Sequence, residues 1–391
     1  MIVNLRAKLK EAAKETPKPQ PQSECLVRDE RVPFPDADAL RAVTARDLRR
    51  LGLETAEVPA EKVLYLDTET TGFAGAGTVA FLIGMGWLEG DEFVVRQAFM
   101  RDYPEEPAQL ALFAEKLRDA DCIVTFNGKT FDIPILRDRF LMARMRDQWH
   151  EKPHLDLLHA ARRTWKPRLG KCDLGTLERE ILGFAREDDI PGSEAPERFF
   201  QYLKTGDFSL VEPVMRHNAE DVVSLARLLA HMAGVYERAE EQQSMLDVLA
   251  VGAALEKFGE PERARRCYRL ASGSELSALA RGKLAASYAR AHEYAQAAET
   301  YQAMIARGEG GLDAYRSLAI LLEWRLGRPK DALRVTEQAL AKFSGGDFRY
   351  RADETALEGL ERRYLRLIRK VSKGDEKEWD CSISLRRVRR C

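Results

Sequence analysis

VLYLDTET, residues 63–70, is the segment on which the fold turns. It opens as an apolar run of strand type and ends with Asp67 and Glu69, two residues apart. Residues i and i+2 of a strand face the same side, so these two carboxylates converge. Gathering like charges is costly, and a divalent cation is the usual compensation. Two acids leaving a strand also make an ordinary solvated turn, so the neighbouring segments must decide between the readings.

Working outward, AFLIGMGWL (80–88) and EFVVRQAFM (92–100) read as two further strands, joined as a hairpin through Glu89-Gly90-Asp91. A helical stretch, PAQLALFAEKLRDA, follows, then a fourth strand, CIVTF at 122–126, and a helix opening near Asp132. The order β-β-β-α-β-α, with later α/β elements, predicts an α/β domain over about residues 60–235, a mixed sheet with helices on both faces. In TFNGKTFDIPIL, Asn127 and Gly128 make the turn and Asp132 begins the helix, where it is either a cap or a site residue. In HNAEDVVSLARLL, His217 and Asp221 are four apart on a predicted helix and share one face.

Before residue 60 the sequence reads as a lead-in: a short basic amphipathic stretch at 3–13, then the Pro- and Gln-rich TPKPQPQSE, which predicts an extended linker. From 240 to 372 every pattern is helical. The segments starting at Ala264, Ala297 and Ala332 lie 33 and 35 residues apart, bracketing the period of tetratricopeptide repeats. Stacked helix pairs leave a concave groove suited to a protein partner; an irregular helical bundle is the alternative. Residues 373–391 read as a basic tail, either solvated or a phosphate-contacting arm.

The chain has 391 residues, 62 Lys plus Arg against 63 Asp plus Glu, and a net charge of −1. Its length predicts two or three domains, and its near-neutral charge excludes bulk attraction to nucleic acid or anionic lipid, so any such binding is local. Six cysteines without a CxxC pair point to reduced thiols in the cytoplasm rather than a zinc module or disulfide framework. No segment predicts a signal peptide or membrane span. The glycines of TTGFAGAGTVAF lack a following Lys-Ser or Lys-Thr and precede a strand, which excludes a nucleoside-triphosphate loop.

Asp67, Glu69, Asp132 and Asp221, ordered strand end, strand-to-helix turn and late helix, follow the pattern of the DEDD exonuclease superfamily. The DTETTG, NGKTFDIPIL and HNAED segments, with HLDLLHAARR and DLGTLE between them, resemble the bacterial YprB-like ribonuclease H-like family. The resemblance covers about residues 60–233 and implies a ribonuclease H-like fold followed by tetratricopeptide-like repeats. It implies two Mg²⁺ or Mn²⁺ ions about 3.5–4 Å apart, held by the four carboxylates for in-line phosphodiester hydrolysis. Asp67 is the bridging ligand in that scheme. Glu69 and Asp221 serve the ion that carries the nucleophile, and Asp132 acts mainly on the second.

His217 departs from the pattern. Superfamily members with a catalytic histidine usually place it five residues before the last aspartate, whereas tyrosine stands four before. Histidine here takes the tyrosine spacing, as a general base for water or as a structural hydrogen-bonding residue. Thr70 and the glycine loop are expected near a terminal nucleotide, Asn127 either shapes its turn or contacts the substrate, and Trp165 and Lys171 in RRTWKPRLGK suggest an aromatic platform with basic flanks for a single strand. The expected activity is 3′ to 5′ exonucleolytic cleavage of single-stranded DNA or RNA ends. The alternatives are a non-catalytic scaffold whose repeats bind a protein, or a ribonuclease H-type or structure-specific endonuclease.

Overall fold

Strand alternation divides VLYLDTET between two faces. In a computed structural model, which describes residues 24–72, 77–145, 152–187, 189–344 and 354–388, this segment is β2 (Val63–Thr70) of a six-stranded sheet. Its companions are β1 (Leu26–Pro33), β3 (Ala80–Glu89), β4 (Glu92–Phe99), β5 (Cys122–Thr125) and β6 (His154–Asp156), in the order β1-β4-β3-β2-β5-β6. The first four pair antiparallel, while β2, β5 and β6 run parallel. The carboxyl ends of those parallel strands therefore open on one edge, where α/β sheets commonly hold their ligands.

The helices in chain order are α1 (Ala37–Arg41), α2 (Ala45–Leu51), α3 (Glu106–Asp119), α4 (Asp132–Met142), α5 (Leu157–Leu169), α6 (Leu174–Leu177), α7 (Ala195–Thr205) and α8 (Glu212–Val235). On one sheet face Leu64, Leu66, Ile83 and Met85 pack with Leu110, Phe113 and Leu117 of α3 and Leu136 and Phe140 of α4. On the other, Phe81 stacks on Phe199 of α7 at a centroid distance of 4.2 Å, and Val214 and Met215 of α8 join that core. Two glycines of β3 let α8 lie close: a Cβ on Gly86 would come within 2.4 Å of Val222, and one on Gly84 within 2.3 Å of the Asn218 amide oxygen. Along β2, Leu64, Leu66 and Thr68 thus face α3 and α4, while Tyr65, Asp67 and Glu69 face α8.

The expected lead-in up to residue 59 is corrected in part. Leu26–Pro33 is the edge strand, in register with β4 from Leu26↔Phe99 to Pro33↔Glu92, and Leu40, Leu48 and Leu51 of α1 and α2 are buried. β1 is an edge strand whose centre, Arg28 to Arg31 of LVRDERVP, is charged and exposed, so it lacks the apolar run that marks β2 and β3. The three-residue β6 was missed because it is shorter than any periodic signal. The stretches at 3–13 and TPKPQPQSE lie outside the described residues.

The chain divides into two compact units, Met1–Glu237 and Arg238–Cys391. The second is helical throughout its described residues apart from turns: α9 (Met245–Lys257), α10 (Pro261–Ala271), α11 (Ser277–Arg290), α12 (Tyr294–Ala306), α13 (Gly311–Trp324), α14 (Pro329–Phe343) and α15 (Glu354–Val388). Each helix packs on the next. Ala264, Ala297 and Ala332 are all fully buried, as are Tyr268 and Thr336, the positions four residues beyond the first and third. The three alanines put no bulk between α10, α12 and α14 and the neighbours they pack on. Buried Glu323 on α13 accepts from Arg363 and Arg366 of α15, each at 2.7 Å. The tail expected from residue 373 is continuous with α15, which runs on to Val388. Cys25, Cys122, Cys172 and Cys267 are buried free thiols. Among the described residues no helix is long and apolar enough to cross a membrane.

Candidate carboxylate site

At the carboxyl end of β2 the chain gathers acids from three directions. Asp67 and Glu69 point toward α8, which carries Asp221. Thr68, on the opposite face, donates its hydroxyl to Asp132 Oδ1 at the start of α4 over 2.5 Å. A shift of register between Glu69 and Thr70 ends the regular ladder with β3 at this point. Glu69 and Asp132 are buried, whereas Asp67 and Asp221 keep part of their surface open to solvent.

The electrostatics record this gathering. Burial lifts Asp67 well above the usual carboxylate range, the charges of Asp221, Asp132 and Glu69 lift it further, and an Asn218 hydrogen bond opposes them. Glu69 is raised by burial and then by Asp221, Asp132 and Asp189. Asp132 is pushed up to about 6 by burial, with the Thr68 hydroxyl and backbone N–H donors working against the shift. Asp221 is raised by burial although Arg186 and His217 favour its charged form.

Two devices hold these acids. Asn218, fully buried on α8, donates from Nδ2 to Asp67 Oδ2 at 2.8 Å and to the Asp67 carbonyl at 3.2 Å. Its Oδ1 accepts from Gln97 Nε2 at 2.9 Å, and Gln97 also donates to the Met215 carbonyl at 2.6 Å. Gly84 stands between Gln97 and Asp67 in the ladder, and its missing Cβ leaves the room for the Asn218 amide. Arg186, in the segment before α7, pairs with Asp221 Oδ1 at 2.5 Å and donates from Nε to Glu178 Oε2 at 2.8 Å. Burial works against its charge, yet the hydrogen bond with Glu178 and the charge of Asp221 raise its pKa overall.

His217 sits one helical turn before Asp221, its Nε2 3.8 Å from Asp221 Oδ2, as the i, i+4 spacing requires. Its Nδ1 lies 2.7 Å from Asp189 Oδ1 and 3.2 Å from Arg186 Nη1. Asp156 caps α5 by accepting from Leu158 N at 3.1 Å and also accepts from Asn127 N and Lys129 N at 2.8 and 3.1 Å, tying the turn before Asp132 to β6. Asn127 shapes that turn in the left-handed region, at φ 67°, and its Oδ1 accepts from Thr130 at 2.8 Å. Thr70 donates its hydroxyl to the Gly72 carbonyl at 2.7 Å. Lys171 is exposed between α5 and α6.

Trp165 requires a correction. It is 1% exposed, on the inward face of α5 beside His231 at a ring separation of 6.0 Å. It is core, so no base can stack on it; of its cationic neighbours, Arg163 turns inward to the Arg50 carbonyl and the Tyr236 hydroxyl, and Lys171 lies beyond the helix end. Asn218, Arg186, Asp189 and Gln97 escaped the sequence reading. Asn218 alone had a local signal, one residue after His217 in the quoted HNAED.

Among the described residues no three His, Cys, Asp or Glu side chains close tightly enough to hold a metal ion as they stand. The donor set nonetheless fits a hard divalent cation: four carboxylates, of which Asp67 and Glu69 share one strand face and Asp67 has an amide hydrogen bond to offset its burial.

The sheet order and the helices on its two faces define a ribonuclease H-like fold, and residues 64–233 match the RNase_H_2 family model of the RNase_H superfamily. Over 175 residues the chain is 39% identical to a protein of Bacillus subtilis (strain 168) described as "Uncharacterized protein YprB"; the match spans 44% of this chain and 42% of that relative. The chain thus covers less than half the length of the curated relative it matches. The family B DNA polymerase from the hyperthermophilic archaeon Pyrobaculum calidifontis is similar at 18% identity and a TM-score of 0.37, over 55% of this chain and 30% of that chain.

Proposed function

We propose that the α/β unit is a divalent-cation-dependent nuclease of the DEDD type, cutting single-stranded nucleic acid from its 3′ end. The observation that carries the reading is the convergence of Asp67, Glu69, Asp132 and Asp221 at the open edge of the parallel strands, where burial and then the charges of Asp221 and Asp132 raise the proton affinity of both Asp67 and Glu69. An acidic cluster of this kind is destabilising by itself, which makes a cation its natural complement.

Asp67, Glu69, Asp132 and Asp221 would hold Mg²⁺ or Mn²⁺, as a pair of ions. When bound, the ions supply charge stabilisation to the phosphoryl oxygens and the leaving oxygen. Asn218 fixes one oxygen of Asp67, and Arg186 fixes one oxygen of Asp221. His217 Nε2 accepts a proton from the attacking water as the water oxygen bonds to phosphorus. The bond from phosphorus to the 3′ oxygen breaks, and solvent protonates that oxygen. Thr70, Asn127 and Lys171 are the proposed substrate contacts, without Trp165. Nucleic acid is the proposed partner of this unit. The second unit is proposed as tetratricopeptide-like repeats that hold a protein in a groove of about 670 Å³ lined by residues including Lys257, Lys283, Tyr301 and Met304.

The test uses 5′- and 3′-labelled single strands of DNA and RNA, with Mn²⁺, Mg²⁺ or chelator, on the full chain and on Asp67→Ala. The reading predicts a ladder from the 3′ end with the parent plus metal and none with the variant. Equal, chelator-insensitive cleavage by both contradicts it, and cleavage of a circular single strand would replace exonuclease by endonuclease.

A further inference from the structure

We infer that Asp189 is a positioning residue that fixes the ring of His217, holding its proton on Nδ1 and presenting the Nε2 lone pair to the carboxylate site. The inference deepens the proposed nuclease reading and rests on it for the role of Nε2.

Nδ1 has two neighbours with opposite demands. Asp189 Oδ1, at 2.7 Å, can only accept a hydrogen, and Arg186 Nη1, at 3.2 Å, can only donate one. One nitrogen cannot satisfy both. The contact to the carboxylate is the shorter, 2.7 against 3.2 Å, and Arg186 Nη1 also has Asp189 Oδ2 at 3.7 Å to receive its hydrogens, while Nε and Nη2 hold Glu178 and Asp221. Nδ1–H donating to Asp189 is therefore the consistent assignment, which leaves Nε2 unprotonated on the neutral ring. Nε2 is also the nitrogen on the side of the site, 3.8 Å from Asp221 Oδ2. A Cβ added at Gly192 would meet it at an ordinary 3.6 Å, so the backbone passes this edge of the ring closely.

Asp189 is itself held. Its Oδ1 accepts from the Ile190 N–H at 2.9 Å, and its Oδ2 lies 3.7 Å from Arg186 Nη1. Its charge also reaches Glu69, so the residue belongs to the same electrostatic neighbourhood as the quartet. Arg186 thereby supports the last aspartate, and Asp189, three residues on, supports the histidine. A histidine whose far nitrogen is fixed by a carboxylate has its tautomer and ring orientation set, which is what a general base acting through the near nitrogen requires.

The test is ¹⁵N NMR of the metal-free full chain labelled at histidine, at a pH well above the histidine range, with His217→Gln to assign the signal. The expected parent spectrum has His217 protonated on Nδ1 and bare on Nε2. In Asp189→Asn the amide can donate to Nδ1, so the proton is expected to move to Nε2; Asp189→Glu is expected to restore part of the parent pattern. In the labelled-strand assay Asp189→Asn should lower kcat by about 10²–10⁴-fold with KM changed by less than about threefold. A parent His217 protonated on Nε2 overturns the inference, and so does an Asp189→Asn spectrum identical to the parent's, whatever the turnover. If the parent cuts no strand, the nuclease reading fails and the spectra alone decide the contact.

Discussion

Asn218 reaches Asp67 by crossing Gly84: its Nδ2 lies 2.8 Å from Asp67 Oδ2, over a backbone position where a Cβ would stand 2.3 Å from the Asn218 amide oxygen. The first proposed metal ligand is thus set by a residue on a distant helix, through a gap left by a glycine in the neighbouring strand. Gln97 completes the line by donating to the oxygen of the same amide.

Gly84→Ala should push the Asn218 amide aside and overpack a buried contact, at a cost of about 1–3 kcal/mol. Asn218→Ala leaves the Gln97 donor and Asp67 without their buried partner, at a similar cost of about 1–3 kcal/mol. Urea unfolding measures both, and a parent-like midpoint for either would remove Asn218 from the account.

The metal-free protein should carry a pH signature from Asp132. Its folded pKa of about 6 stands above the ordinary aspartate value of 3.8, so the folded state binds the proton more tightly than the unfolded state. That contribution to stability is full below the unfolded value and is lost as pH rises through about 6. In chelator at pH 7.5, Asp132→Asn should therefore be more stable than the parent by on the order of 1–3 kcal/mol, with the gain vanishing below pH 4. The amide oxygen can keep the Thr68 hydroxyl bond. A variant less stable than the parent at pH 7.5 in chelator contradicts the shift.

Divalent cation should reverse that ranking. With Mn²⁺ at about 100 times its dissociation constant the parent should gain roughly 2.7 kcal/mol, while Asp67→Ala and Asp132→Asn gain much less. Thermal unfolding with and without chelator reads the difference. Equal shifts for the parent and both variants would place the ion elsewhere.

Arg186 pairs with buried Glu178 and also with Asp221, each with little exposed surface. Arg186→Ala strands both charges, and removing one member of such a buried network costs about 3–5 kcal/mol. Arg186→Lys should recover only part of it, since an ammonium cannot match the guanidinium fork. Chemical denaturation of the three proteins checks the order.

The acids were legible because each ended or began an element: Asp67 and Glu69 close an apolar run, Asp132 opens a helix and Asp221 shares a helical face with His217. Periodicity also marked β2 to β5. What escaped was of another kind. β1 carries an unbroken charged run, Arg28 to Arg31, on an exposed edge, and β6 is three residues long. Asn218 and Arg186 act on partners 151 and 35 residues away along the chain, and no local pattern encodes such a distance. Trp165 misled because basic neighbours in sequence suggest an exposed face, while its ring is core and Arg163 beside it is itself turned inward.

The most direct measurement of the central claim is anomalous diffraction from crystals of the full chain grown or soaked with Mn²⁺. The account predicts anomalous density within coordinating distance of Asp67, shared with Glu69, Asp132 or Asp221, and absent from Asp67→Ala. Density confined to other surfaces, or a quartet that stays empty at saturating Mn²⁺, contradicts it.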